Sequence, residues 1–144
     1  MPWDRSDVSE ATTRLAAVVA ELPGVVVVEA YGHVEYQLAG KKVAWLLVDH
    51  HGDGRLAVWV KAPRGEQEAL VAADPGRYFA PPYLGPSGWV AVNVDRDSQP
   101  DWDDVSALVV QAWRMSAGKR AVAAYDGPSG RLIATSRRRR GARS

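Results

Sequence analysis

Between Val25 and Lys61 the sequence carries a series of short apolar runs, rich in β-branched residues and separated by glycine-containing turns, and this pattern restricts the chain to a sheet-based fold. Four consecutive valines, Val25 to Val28, lead into Glu29 and read as one strand, because β-branched side chains lose rotamer freedom in a helix. From Val34 the sequence alternates, with Val34, Tyr36 and Leu38 on one face and Glu35 and Gln37 on the other. Such a strand suits an antiparallel sheet with one face toward the core. Gly40 makes the next turn. Val43 to Val48 is apolar on both faces and is predicted to be a central strand. After the turn DHHGDG, Leu56, Val58 and Val60 share one face while Ala57, Trp59 and Lys61 share the other. A three-strand meander is the simplest arrangement of the segments from Val34 onward.

Helical periodicity brackets this region. Val8, Ala11, Leu15, Val18, Val19 and Leu22 lie on one face of a helix predicted from Val8 to Glu21, with Asp7 as N-cap, Glu10 in the reciprocal position of a capping box, and Pro23 and Gly24 as the stop. Glu66 to Ala73 is predicted as a short helix with Ala69, Leu70 and Ala73 inward. Arg77 to Ala80 reads as an edge strand, since Pro81 and Pro82 donate nothing to a ladder. A Pro/Gly loop with Tyr83 then leads to a strand from Trp89 to Val94, with Trp89 as a core anchor. After Pro100, Asp101 caps a last helix whose buried stripe is Val105, Leu108, Val109, Ala112 and Trp113. The expected fold is α+β and two-layered, an antiparallel sheet with helices on one face, in the order α-β(3)-α-β(2)-α. Residues 1–125 form the domain, and residues 126–144 are expected to be a flexible Arg-rich tail.

Composition removes several function classes. There is no cysteine, so disulfides, thiolate catalysis and Cys-based metal sites are excluded. The longest apolar runs fall far short of the roughly 18 residues a membrane span needs, and the acidic start MPWDRSDVSE lacks the basic flank of an export signal, so a cytoplasmic location is expected. The net charge of +1 conceals an asymmetry: residues 1–136 hold 13 basic against 17 acidic residues, and Arg137, Arg138, Arg139, Arg140 and Arg143 supply the rest.

Several motifs start a chemistry without completing it. Asp49, His50 and His51 resemble the DHH phosphoesterase signature, but the further acidic motifs of those enzymes are missing. Asp49, His51, Asp53 and Gly54 fit the start of an EF-hand loop, yet Val60 stands where its bidentate Glu belongs. Gly52, Gly54 and Ala57 match GxGxxA but open a strand rather than a helix. No GxSxG elbow is present, and a His33 and Glu35 general-base pair has no third member. The DHH run is therefore read as a polar hairpin turn whose paired histidines are open to adventitious metal, and no enzyme, cofactor or metal site is expected. Among the six tryptophans, Trp45 and Trp113 are expected in the core, Trp102 as part of a helix cap, and Trp3 in a frayed end. Trp59 and Lys61 are expected on an open sheet face near Lys41, Lys42 and Arg55, where an aromatic and several cations can stack bases and neutralise phosphates.

With the elements in order, the chain resembles the MmcQ/YjbR family. The resemblance rests on LPGV at Leu22–Val25, YGH at Tyr31–His33, GKKVAWL at Gly40–Leu46, APPYLGPSGWVAV at Ala80–Val92, DW at Asp101–Trp102 and GKR at Gly118–Arg120, and covers roughly residues 8–120. It implies a fold similar to type III secretion chaperones and frataxin-like domains, and a DNA-binding role through a double-wing topology. The Arg run is an addition to the family pattern, and Ala112 and Trp113 replace a Ser-Tyr pair common in its last helix. On this basis Lys42, Lys61 and Arg64 are expected to neutralise phosphate, Tyr83 and Trp59 to stack or pack against sugar, and Arg137, Arg138, Arg139 and Arg140 to add affinity for DNA. The other expectation is a protein-interaction or ligand-sequestering module with a protein partner or a second copy of itself.

Overall fold

A computed structural model describes residues 3–127. The elements run α1 (Arg5–Ala20), β1 (Val25–Ala30), β2 (His33–Leu38), β3 (Lys41–Val48), β4 (Leu56–Val60), α2 (Glu66–Ala73), β5 (Tyr78–Phe79), β6 (Val90–Asn93), α3 (Trp102–Ser116) and α4 (Lys119–Tyr125). The six strands form one antiparallel sheet in the order β1-β2-β3-β4-β6-β5. The α+β architecture is as expected, with one refinement: β1 joins the meander, so four strands precede α2. β5 is the short edge strand foreseen before Pro81 and Pro82.

Alternation along the strands sorts the core into two clusters. Val34, Tyr36, Leu46, Val58, Val60, Val90 and Val92 pack beneath the helices, against Ala11, Leu15 and Val19 of α1 and the stripe Val105, Leu108, Val109, Ala112 and Trp113 of α3. That stripe is the one predicted from sequence, and each of its four large members contributes roughly 1.5–3 kcal/mol by burial. Trp113 also donates its indole N–H to Pro23 O at 3.0 Å, tying α3 to the turn after α1. The register of β2 on β3 shifts after Tyr36, from Tyr36 opposite Ala44 to Gln37 opposite Lys42. This bulge lets Val43 and Ala44, adjacent in sequence, both enter the helix-side core.

The far face of the sheet differs from expectation. All five residues of β4 are buried, and Leu47, Ala57, Trp59, Trp89 and Ala91 form a second cluster with Trp45, Phe79 and Leu84 packed against it. Trp59 is only 1% exposed. The loop between β5 and β6 folds back over this face, so the open sheet surface expected around Trp59 does not exist; Trp89 is a core anchor as expected, in this second cluster, and Trp45 is only partly buried against it.

Smaller corrections have local causes. α1 starts a turn earlier than expected because Asp4, not Asp7, is its N-cap: Asp4 accepts from the Ser6 and Asp7 amides, and Asp7 accepts from the Asp4 amide at 2.9 Å. Glu10 instead pairs with Arg14 and Arg96. In α2 it is Leu70 and Val71 that pack on the core, while Ala69 and Ala73 are exposed. Trp3 is anchored, donating to Gly54 O at 3.3 Å. Trp102 packs on the core and carries Arg14 over its ring at 5.4 Å. The chain leaves α3 through extended Ala117 and Gly118 before α4, and Arg114 forks onto Asp126 to hold the two helices together. The tail from residue 128 onward, including Arg137 to Arg140, lies outside the described residues. No helix among the described residues is long and apolar enough to cross a membrane.

Candidate functional site

On the far face, three tryptophans from different elements line one cleft. Trp45 of β3 and Trp59 of β4 are direct cross-strand partners, with ring centroids 5.8 Å apart, and Trp89 enters from the residue before β6. The β2–β3 turn (Gly40 to Lys42) closes one end, the β3–β4 turn brings His50 and His51, and Pro82 to Leu84 form a side wall. The cleft is open to solvent and has a volume of about 580 Å³.

The turns that shape the cleft carry backbone in the left-handed region. Asp49 and His51 have φ of 50° and 51°, conformations that Asp and His tolerate better than most residues. Asp49 holds the turn through both backbone and side chain: its amide donates to Arg55 O at 2.8 Å, and its Oδ1 accepts from the Gly54 amide at 2.8 Å. The result turns the His50 ring onto the sheet, 5.0 Å from Trp59, 6.1 Å from Trp45 and 5.9 Å from His33. The polar turn expected here therefore also supplies a wall of the cleft. Tyr83, with φ of 66° and 82% of its surface exposed, stands on the rim. A bulky side chain held in that region at a cleft edge marks a backbone that the surrounding loop constrains.

Electrostatics at the cleft are built around neutral histidines and a stapled lysine. Burial holds the His33 and His50 imidazoles below their ordinary pKa. His33 Nδ1 accepts from the Val48 amide at 3.0 Å, which places its proton on Nε2. Lys42 Nζ lies 3.8 Å above the Trp45 ring and 3.1 Å from Glu35 Oε1, and Gln37 Nε2 donates to Glu35 Oε2 at 2.8 Å. Desolvation pushes the Glu35 carboxyl up, but the hydrogen bonds from Lys42 and Gln37 outweigh it and hold it below its ordinary value. His33 and Glu35 thus have separate partners rather than each other. The indole Nε1 atoms of Trp45 and Trp59 are buried without an acceptor, the kind of unsatisfied polar group that native interiors seldom leave without reason. Among the described residues, no three His, Asp or Glu side chains come together in a way that could hold a metal ion.

The expected site residues are dispersed. Lys42 and Tyr83 line the cleft. Trp59 is also in its wall, but it is sunk between strands and presents no broad stacking face to solvent. Arg64 lies across the loop in a second cleft of about 660 Å³, between the start of α2 and residues 80–88. Lys61 leaves the sheet face and donates to Ser116 Oγ at 3.3 Å, at the end of α3. Sequence reasoning missed His50, Leu84 and the functional placement of Trp45 and Trp89. The facing of Trp45 and Trp59 follows from the register that the DHHGDG turn sets, but loop closure over that face has no periodic signal.

Fold and cleft together define a two-layer α+β protein whose helices cover one sheet face while a loop and two turns shape an aromatic cleft on the other. The family model described as YjbR matches residues 20–115, a stretch that includes every strand and the whole cleft. The chain belongs to the YjbR family. A solved structure, that of the Deinococcus radiodurans protein DR2400 with a DUF419 domain, is similar to it with a TM-score of 0.62 over 75% of this chain and 79% of that one. At 17% identity the likeness is one of fold. No curated protein matches the chain.

Proposed function

We propose that this protein is a non-catalytic binding module that takes a flat aromatic group of its ligand into the far-face cleft. The observation that carries this reading is a largely apolar concave surface formed by Trp45, His50, Pro82, Tyr83 and Leu84, with the buried Trp59 and Trp89 packed behind it. Its volume lies within the roughly 300–1,000 Å³ common for small-molecule sites, and aromatic walls favour a planar guest. The neighbouring Glu35 and His33 are occupied by Lys42, Gln37 and the Val48 amide, which suits binding better than proton transfer. Calorimetric titration of the full chain with indole and with adenosine tests the reading. Saturable binding, weakened in Tyr83→Ala with the melting temperature retained, supports it; absence of binding to either compound removes it.

A second reading, DNA binding, is favoured by Lys41 and Lys42, adjacent at one end of the cleft. An unpaired base would enter the aromatic cleft while its phosphate meets Lys41, with Arg137 to Arg140 adding charge from outside the described residues. Residues 3–127, however, hold 12 basic against 17 acidic residues, so most of the affinity would have to come from the tail. If four tail arginines each neutralise a phosphate, deleting residues 137–144 flattens the salt dependence by roughly 2.8 log units per log unit of salt on single-stranded DNA and by roughly 3.6 on duplex. An unchanged slope excludes the tail from binding.

A further inference from the structure

We infer that the cleft selects a flat aromatic ligand carrying a negative charge, with the anionic group seated at Lys41. The inference rests on the cleft reading above and adds the chemical class of its ligand.

The charge of the lining stands out against the rest of the molecule. The titratable side chains that line the cleft are Lys41, Lys42, His50, His51 and Tyr83, and no carboxylate is among them. Acidic residues outnumber basic ones by 17 to 12 over residues 3–127, so a patch drawn at random from this surface would be acidic. Of the carboxylates on the adjoining strand and turn, Glu35 is paired with a cation, while Asp49 and Asp53 keep their charge and hold the β3–β4 turn. Glu35 holds Lys42 and Gln37, Asp49 accepts from the Gly54 amide, and Asp53 accepts from the Arg55 amide at 2.9 Å.

The two lysines differ in what they can offer. Lys42 is committed, its ammonium stapled between the Glu35 carboxylate and the Trp45 ring. Lys41 is exposed and has no ion-pair partner among the described residues. It stands at the start of β3, beside the largely apolar lining of the cleft. A cation at the edge of a low-dielectric wall attracts an anion more strongly than one in open solvent. A ligand lying against Trp45 and Leu84 with its charged oxygens toward the β2–β3 turn satisfies both surfaces at once. Carboxylate and phosphate share this chemistry, and the ligand pairs below separate them.

The experiment is calorimetry on the full chain at low salt with two matched pairs, indole against indole-3-acetate and adenosine against adenosine monophosphate. In at least one pair the anion is expected to bind about five- to tenfold more tightly than its neutral parent, the value of one poorly screened charge pair near 4 Å. The pair with the larger margin identifies carboxylate or phosphate. In about 1 M salt the margin narrows toward one, and in Lys41→Met the ratio of anion to neutral affinity falls to about one. Equal or weaker binding of the anion in both pairs overturns the inference while leaving the cleft reading intact, and a margin undiminished in Lys41→Met overturns the seat assigned to the anion. If none of the four compounds binds, the cleft reading fails and this inference with it.

Discussion

The imidazole Nδ1 of His33, at the start of β2, accepts a hydrogen bond from the backbone amide of Val48, at the end of β3, at 3.0 Å. A protonated Nδ1 cannot accept that bond, and burial already holds this imidazole below its ordinary value of 6.5. The unfolded chain therefore binds the proton more readily than the folded one. Stability is full above about pH 6.5 and declines as pH falls from there toward the depressed folded value. His33→Leu is expected to cost about 1–3 kcal/mol at neutral pH, because it leaves the Val48 amide without its acceptor. It is also expected to make the fall in melting temperature between pH 7.5 and 5 shallower. Some slope persists from His50, whose pKa burial likewise depresses. A variant whose stability falls as steeply as the wild type's would show that His33 is not the titrating group.

Two buried tryptophans offer a matched comparison. Trp59 and Trp113 are both almost fully buried, yet Trp113 Nε1 donates to Pro23 O while Trp59 Nε1 has no acceptor. Trp→Phe removes similar volume at each site, so the hydrogen bond decides the difference. Trp113→Phe is expected to destabilise by about 1 kcal/mol more than Trp59→Phe in urea unfolding. Equal losses would mean that cavity formation alone sets both.

Gln67 of α2 holds the loop that separates the two clefts, its Nε2 donating to Gly85 O at 2.8 Å and to Trp89 O at 2.5 Å. Gln67→Leu keeps the size of the side chain and removes both donors. The expected cost is about 1–2 kcal/mol, with faster hydrogen exchange at the Gly88 and Trp89 amides, which close turns within this loop. Unchanged exchange there would show that packing of Trp89 and Leu84 fixes the loop without this residue.

Gly24, the turn between α1 and β1, sits at φ +82°, and a Cβ there would lie 2.9 Å from Leu38 Cδ1. The end of Leu38 can shift, so the backbone conformation dominates the penalty. Gly24→Ala is expected to lose about 1–2 kcal/mol in thermal or urea unfolding. A neutral result would mean that the turn adopts another conformation at little cost.

Local periodicity made much of this protein legible. The stripe of α3, the strand segments and the helix of residues 66–73 follow from which side chains repeat at two or at about 3.6 residues, and the edge position of β5 from the missing donors of Pro81 and Pro82; that information lies in the chain itself. Alternation also placed Trp59 on the face opposite Val58. It did not say what covers that face, because covering it depends on the loop of residues 80–89, about twenty to thirty residues further along the chain, whose Pro and Gly residues carry no period. Competing caps were another limit: Asp4 and Asp7 both suit an N-cap, and the choice went to Asp4 when Asp7, as the third helical residue, could return its carboxylate to the Asp4 amide and also meet Arg96.

The sequence by itself determined the layer architecture, the family and the residues able to form each core face, since these depend on contacts within an element or between strands joined by short turns. Tertiary structure alone decided that Trp59 is a wall rather than a platform, that Lys61 and Arg64 point to different places, and that His50 and Trp89 meet Trp45. The physical reason is range. Periodicity reports the direction of a side chain relative to its own backbone, whereas a cleft arises from the crossing of distant segments, and their meeting is settled by how the whole chain closes over its apolar surface.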